Sequence, residues 1–227
     1  MNKNSSDLTF FEKNLRAVFF DWDMTLADTD QAFYMALEKT LSDYGLEPSN
    51  LHEYKASGGA KQTLEKRYGL RSMNPELYLR LKSNYFPTNV KLFPKTRETL
   101  LCLKKSGVST FVISNKPHEV LDKELSMTGL KPIIHGFIGD TPERPKKPAP
   151  DNLVYAAKVL GIPLSSCLMV GDHTNDLVAA RSAGIPVLLL GEESKTLSGD
   201  FWCKDIGDVP DLILWYFKRQ IESINER

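Results

Sequence analysis

The sequence predicts a doubly wound α/β core, a parallel sheet with helices on both faces, carrying one inserted helical subdomain. Three observations predict it. Short apolar runs end in polar residues, helical patterns between them stop at glycine, and one long stretch is mostly helical where a single crossover would suffice. Ala17 to Phe20 is the first apolar run and ends at Asp21. Val108 to Ile113 is the second and ends at Ser114 and Asn115. Ile133 to Ile138 leads into Gly139-Asp140, Cys167 to Val170 into Gly171-Asp172, and Val187 to Leu190 closes the series. Continuous runs of this length are what strands buried on both faces of a parallel sheet require. Between them, Thr96 to Lys105 stops before Gly107, Asp151 to Leu160 at Gly161, and Asn175 to Ala183 at Gly184. Glycine just past a helix enters the left-handed region without steric cost, so it marks helix ends. Strand and helix alternating at this spacing give a doubly wound domain.

Nearly ninety residues separate the first strand from the second, whereas a crossover needs only about a dozen. Phe33 to Leu41, Ala60 to Arg67 and Pro75 to Lys82 read as helices. Residues 31–90 are therefore expected to form an inserted α-helical subdomain, with the core made of 1–30 and 91–227. Leu212 to Ile224 reads as a last helix, packed on the core through Leu212, Trp215 and Phe217.

Composition narrows the function class. The chain has 227 residues, with 29 Lys plus Arg balancing 29 Asp plus Glu. Zero net charge argues against binding nucleic acid by bulk electrostatics. No run approaches the roughly 18 apolar residues that span a bilayer, and the polar stretch Met1 to Phe10 leaves no room for a signal-peptide apolar segment. Cys102, Cys167 and Cys203 are widely spaced and contain no CxxC, against both a disulfide framework and a zinc knuckle. Cys102 and Cys167 lie in apolar runs and are expected in the core. A cytoplasmic protein, monomer or homodimer, with no membrane or nucleic-acid partner, is the expectation.

The candidate chemistry gathers at strand ends, where open parallel sheets bind ligands. Asp21 and Asp23, two apart on extended chain, point to one face. Alone, the pair is equally compatible with a solvated loop. Asp172 and Asp176, four apart at a helix start, share a face as well. Four carboxylates converging on one crevice need a counter-charge, and an all-oxygen set favours Mg²⁺ over zinc. Ser114 and Asn115 offer a hydroxyl and loop amides to a phosphate, and Lys147, ahead of a helix in Lys147-Pro-Ala-Pro-Asp151, offers a point charge. Each is bland alone; their order along the chain gives them weight.

That order resembles the haloacid dehalogenase superfamily of phosphohydrolases. The resemblance rests on Val18-Phe-Phe-Asp-Trp-Asp-Met-Thr-Leu-Ala-Asp-Thr29, Val112-Ile-Ser-Asn-Lys-Pro117, Lys147-Pro-Ala-Pro-Asp151 and Leu168-Met-Val-Gly-Asp-His-Thr-Asn-Asp176. It implies a Rossmann-like core and, from the insertion, the small α-helical cap of the phosphoglycolate phosphatase and β-phosphoglucomutase branch. It implies a Mg²⁺-dependent phosphatase acting on a small phosphorylated metabolite, phosphoglycolate-like or a sugar phosphate. Asp21 would be the nucleophile that forms an aspartyl-phosphate, and Asp23 the general acid and base. Asp21, the Asp23 backbone carbonyl and Asp172 would hold Mg²⁺, with Asp176 orienting metal-bound water. Ser114, Asn115 and Lys147 would bind the phosphoryl group, and Thr25 would fix Asp23 by a hydrogen bond. In the cap, Gly58, Gly59 and Lys61 are the candidates for substrate selection, suited to a second anionic group.

One position departs from the family. Met24 stands where the family usually has glycine, and a positive φ there would cost about 1–2 kcal/mol. His173 is expected as a loop or substrate-facing residue rather than a ligand; His52, His118 and His135 are expected to be structural. A phosphomutase with the same acid pair is the alternative within enzymes. A non-catalytic binding protein on the same fold is the alternative outside them.

Overall fold

The computed structural model describes residues 15–47, 80, 81, 84 and 90–213. The chain divides into two compact units, Met1–Ala27 with Leu92–Arg227, and Asp28–Lys91. The larger unit is built on a parallel six-stranded sheet in the order β5-β4-β1-β6-β7-β8. Its strands are β1 (Ala17–Phe20), β4 (Ser109–Pro117), β5 (Gly136–Asp140), β6 (Cys167–Gly171), β7 (Val187–Leu190) and β8 (Phe201–Cys203). Two further short strands, β2 (Ala27–Asp28) and β3 (Lys91–Leu92), pair where the chain leaves and re-enters this unit.

Apolar patterning places β1 at the centre. All four of its residues are fully buried, and it pairs with β4 on one side and β6 on the other, Phe20 opposite both Val112 and Val170. Strands that follow β1 add first on one edge and then on the other. The order therefore reverses between β1 and β6, and a crevice opens beyond their carboxyl ends. Helices α2 (Thr96–Lys105), α3 (His118–Met127), α4 (Asp151–Leu160) and α5 (Thr174–Ala183) flank the sheet. One face buries Phe19, Phe111, Ile113, Met169 and Leu189 against Leu153, Ala156 and Leu177 of α4 and α5. The returning chain is tied to the loop after β1, since Phe93 N–H and Thr96 Oγ1 both donate to the Leu26 carbonyl.

Several elements differ from expectation. The third strand begins three residues late, at Gly136, because Ile133 and Ile134 close a turn onto the Leu130 carbonyl. Both are buried all the same; the apolar run marks the core but not the strand. Helix α3 is not anticipated by periodicity, since it carries the buried charge Glu124 between Leu121 and Leu125. β8 also goes unanticipated, being only three residues long. Cys167 and Cys203 are buried free thiols, whereas Cys102 is only half-buried. His118 and His135 are structural, each accepting a backbone N–H on Nδ1, from Gly139 and Thr110. The last helix starts within residues 209–213; Trp215 and Phe217 lie outside the described residues.

In the smaller unit, α1 (Asp30–Asp43) buries a stripe of Ala32, Ala36, Leu37, Thr40 and Leu41. Asn84 donates to Thr40 Oγ1 and to Asp43, and Arg80 pairs with Asp43 at 2.7 Å. The Asn84 and Arg80 hydrogen bonds bring the Asp43 carboxyl down to about 2. Gly58, Gly59 and Lys61, His52, the Ala60 to Arg67 helix and most of Pro75 to Lys82 lie outside the described residues. Among the described residues, no helix is long and apolar enough to cross a membrane.

Gly136 shows how tightly β5 and β4 pack. A Cβ there would lie 2.4 Å from the Phe111 ring, and that ring is buried in the core on the neighbouring strand. Gly136→Ala should therefore destabilise the fold by about 1–3 kcal/mol through overpacking. Urea unfolding would show a lower midpoint at unchanged m-value; an unchanged midpoint would mean the ring yields freely.

Candidate active site

The site is assembled from four chain ends on the switch-point crevice. Asp21 follows β1, with its backbone N–H bonded to the Val170 carbonyl of β6. Asp172 follows β6, Ser114 ends the regular part of β4, and Lys147 precedes α4. Adjacent parallel strands thus bring Asp21 and Asp172 together although 151 residues separate them in the chain.

Lys147 lies at the centre of the cluster. Its side chain is almost wholly buried, and Nζ reaches Asp21 Oδ1 at 2.8 Å, Asp176 Oδ1 at 2.6 Å and the Ile113 carbonyl at 2.8 Å. Burial works against its charge, but Asp176 and Asp21 outweigh it and hold the ammonium well above its ordinary value. Asn115 steadies this arm by donating to the Lys147 carbonyl at 2.7 Å.

Asp21 Oδ1 accepts from Lys147 and from the N–H of Trp22 at 2.7 Å. Among the described residues no donor falls on Oδ2. Burial, then the charge of Asp176, raise the Asp21 carboxyl well above the usual range, with Lys147 opposing. Asp172 behaves alike: burial and Asp176 lift it from 3.8 to about 7, against a 2.9 Å hydrogen bond from Thr25 Oγ1. Thr25 therefore orients Asp172. The expectation that it fixes Asp23 is corrected, because the turn after Trp22 aims the hydroxyl towards β6.

Asp176 is fully buried on the first turn of α5. Its Oδ2 accepts the His173 N–H at 3.1 Å, and the His173 ring accepts Asn175 N–H, closing a reciprocal cap. His173 is thus a helix cap. Gly171 makes room for this arrangement, since a Cβ there would meet the Asp176 carboxyl at 2.4 Å.

Asp23 occupies the other side of the site. Its Oδ1 is 2.6 Å from Lys116 Nζ, and its Oδ2 accepts from Ser114 Oγ at 3.2 Å. The Ser114 hydroxyl in turn accepts the Lys116 N–H at 3.0 Å. Met24, next in the chain, has φ of 60°. A methionine therefore holds the left-handed backbone expected of glycine, and the Met24 N–H to Ala27 carbonyl bond of 2.8 Å closes the turn around it.

Among the described residues, five carboxylates (Asp21, Asp23, Asp172, Asp176 and Glu124) face two ammoniums, Lys116 and Lys147. A cation would fit this imbalance. Asp21, Asp172 and Asp176 each place an oxygen within 4.8 Å of the others, and an all-oxygen donor set suits a hard divalent ion such as Mg²⁺. Asp176 has both oxygens engaged, by Lys147 and by the His173 amide, whereas among the described residues Asp21 engages only Oδ1, so Asp21 and Asp172 would be the better first ligands.

Sequence reasoning missed Lys116, Glu124 and the role of Trp22. The available signal was Glu124, a charge in helical register with the apolar Leu121, which demands a buried partner.

These motifs match a known family over residues 18–190, as haloacid dehalogenase-like hydrolases. The chain belongs to that family. Phosphoglycolate phosphatase of Aquifex aeolicus is 32 % identical over 182 residues, covering 77 % of this chain and 84 % of that protein. Phosphoglycolate phosphatase of Neisseria gonorrhoeae is 31 % identical over 185 residues, covering 76 % and 78 %. With such phosphatases as relatives, this hydrolase is a phosphoric monoester hydrolase. Its fold is shared with a predicted phosphatase from Clostridium acetobutylicum at TM-score 0.77, 19 % identity and coverage of 89 % and 100 %. A predicted phosphoglycolate phosphatase from Haemophilus somnus shares it at 0.76, with 22 % identity and coverage of 88 % and 99 %.

The raised Asp172 carboxyl sets a sign for stability. Between about pH 4 and about 7 the folded state keeps a proton that the unfolded chain releases, so metal-free stability falls as pH rises through that window. Asp172→Asn keeps the acceptor for Thr25 and removes the charge. In chelator, the variant should melt above wild type at pH 8, and the gap should narrow as pH falls and close only below about pH 4. A variant that melts lower at pH 8 would contradict the charge repulsion.

Proposed function

We propose that this hydrolase is a Mg²⁺-dependent phosphatase that cleaves a small phosphomonoester through an aspartyl-phosphate on Asp21. The observation that carries the reading is the double hold on Asp21 Oδ1, by Lys147 and the Trp22 amide, with Oδ2 left without a donor among the described residues. A carboxylate fixed at one oxygen presents the other as a nucleophile in a defined direction, which in-line phosphoryl transfer needs.

Asp21 would attack phosphorus as the bond to the leaving oxygen breaks. Asp23, two residues on and partly exposed, would give that oxygen a proton. The ionised Asp23 would then take a proton from water as it attacks the aspartyl-phosphate, releasing phosphate and restoring both carboxyls. Asp21, Asp172 and the Asp23 backbone carbonyl would hold Mg²⁺, which supplies positive charge against the phosphoryl oxygens. Lys147 acts on the phosphoryl group chiefly by charge, since its ammonium already contacts Asp21, Asp176 and the Ile113 carbonyl. Ser114, one hydrogen bond from Asp23, would turn to the phosphoryl group when substrate enters. The names of the relatives point to phosphoglycolate or a metabolite of similar size and charge as the first substrate to assay.

Asp21→Asn should abolish covalent labelling and lower turnover by several orders of magnitude, as loss of a nucleophile does. Acid-quenched protein incubated with labelled substrate reports the first, and phosphate release the second. Retention of more than about a hundredth of wild-type activity would place the nucleophile elsewhere. Omitting Mg²⁺ under chelator should silence the wild type, with recovery on adding it back.

A further inference from the structure

A second buried ammonium, Lys116, borders the site at Asp23. Lys116 follows Ser114 and Asn115 on β4, and its side chain is 2 % exposed. Its Nζ lies 2.6 Å from Asp23 Oδ1, and 3.0 and 2.8 Å from the two oxygens of Glu124. Glu124 is fully buried on α3 and also accepts the indole N–H of Trp22, the residue between Asp21 and Asp23. Trp22 itself is fully buried. Asp23, Lys116, Glu124 and Trp22 thus form a closed ring of contacts that returns to the catalytic loop one residue from where it leaves it.

We propose that Lys116, clamped by Glu124, is a positioning residue that holds the Asp23 carboxyl in line with the leaving oxygen. The inference rests on Asp23 being the general acid, as argued above. The indole before Asp23 is buried in the core, and the Met24 after it has a positive φ. Lys116 holds Oδ1 by charge at 2.6 Å, without hydrogen-bond geometry, and Ser114 donates to Oδ2, so the carboxyl is held from β4 at both ends. If substrate draws Ser114 away to the phosphoryl group, Lys116 remains as the hold on Asp23. Glu124 has a separate task. An ammonium buried this deeply needs a compensating charge, and both Glu124 oxygens are spent on Lys116, one of them also receiving the indole. A solvent-exposed acid could neither balance that burial nor keep Nζ on a fixed heading.

A positioning role predicts a dependence on the leaving group that a packing role does not. For an alkyl phosphate, whose leaving oxygen is strongly basic, kcat/KM includes the proton transfer from Asp23. For an activated aryl phosphate it does not, because the aryloxide departs unprotonated. The test measures kcat/KM for both substrates in wild type, Asp23→Asn, Lys116→Met, Glu124→Gln and the double variant Lys116→Met with Glu124→Gln. Lys116→Met should lose about 100-fold on the alkyl phosphate, within the range of general acid catalysis, and only a few-fold on the aryl phosphate. The double variant removes both buried charges, so it remains a test if the single variant fails to fold, and it should show the same split. Glu124→Gln still offers an acceptor to Trp22 and should show a smaller split in the same direction.

Asp23→Asn separates the two layers of the argument. If Asp23→Asn loses both substrates equally, the assignment of the general acid is wrong. If Asp23→Asn shows the split while Lys116→Met and the double variant lose both substrates alike, or lose neither, then Lys116 only packs and the inference is overturned. In the supporting outcome, aryl phosphate turnover by Lys116→Met also shows a burst followed by a slow phase, because the same carboxyl serves as base for the second step.

Discussion

Lys147 is an ammonium buried between Asp21 and Asp176, two largely buried carboxyls that would otherwise repel each other. Removing one partner from such a buried set typically costs about 3–5 kcal/mol, so the rest of the site is arranged around keeping this contact. Asp176 is capped onto α5, Gly171 is kept without a side chain to admit it, and Asn115 ties down the Lys147 backbone. The lysine still does not balance the cluster. Asp172 remains lifted to about 7, which would suit a cation and makes the metal-free cluster dependent on pH.

Topology explains why these groups meet. β1 is flanked by β4 and β6, so one crevice receives residues from positions 21, 114 and 172. Asp21 and Asp172 directly follow, and Ser114 lies on, strands locked by buried apolar pairs, which gives these side chains rigid supports. The two lysines divide the loop after β1 between them, Lys147 taking Asp21 and Lys116 taking Asp23. Two acids two residues apart therefore have separate cationic partners from separate elements.

Much of this was legible in the sequence, and the exceptions have physical causes. The helices Thr96–Lys105 and Asp151–Leu160 are read to the residue, because clear periodicity ends at a glycine or a turn. Strand β5 is misplaced because the buried residues Ile133 and Ile134 look the same in a turn as in a strand. The acids Asp21, Asp23, Asp172 and Asp176 are readable from spacing, since each follows an apolar run or opens a helix. Lys116 and Glu124 are not, because their meaning lies in a pairing between β4 and α3 that no local pattern records. Thr25 is nearer Asp23 in sequence, whereas the turn delivers its hydroxyl to Asp172, 147 residues away.

On the proposed reading, the acid cluster around Asp172 retains a proton that a divalent cation would displace. Calorimetric titration of the metal-free protein with Mg²⁺ near pH 6.5, in buffers of different ionisation enthalpy, measures that proton directly. The account predicts release of roughly one proton on binding, as expected when ligands must deprotonate, and a smaller release in Asp172→Asn. A binding heat that does not vary with the buffer would contradict it.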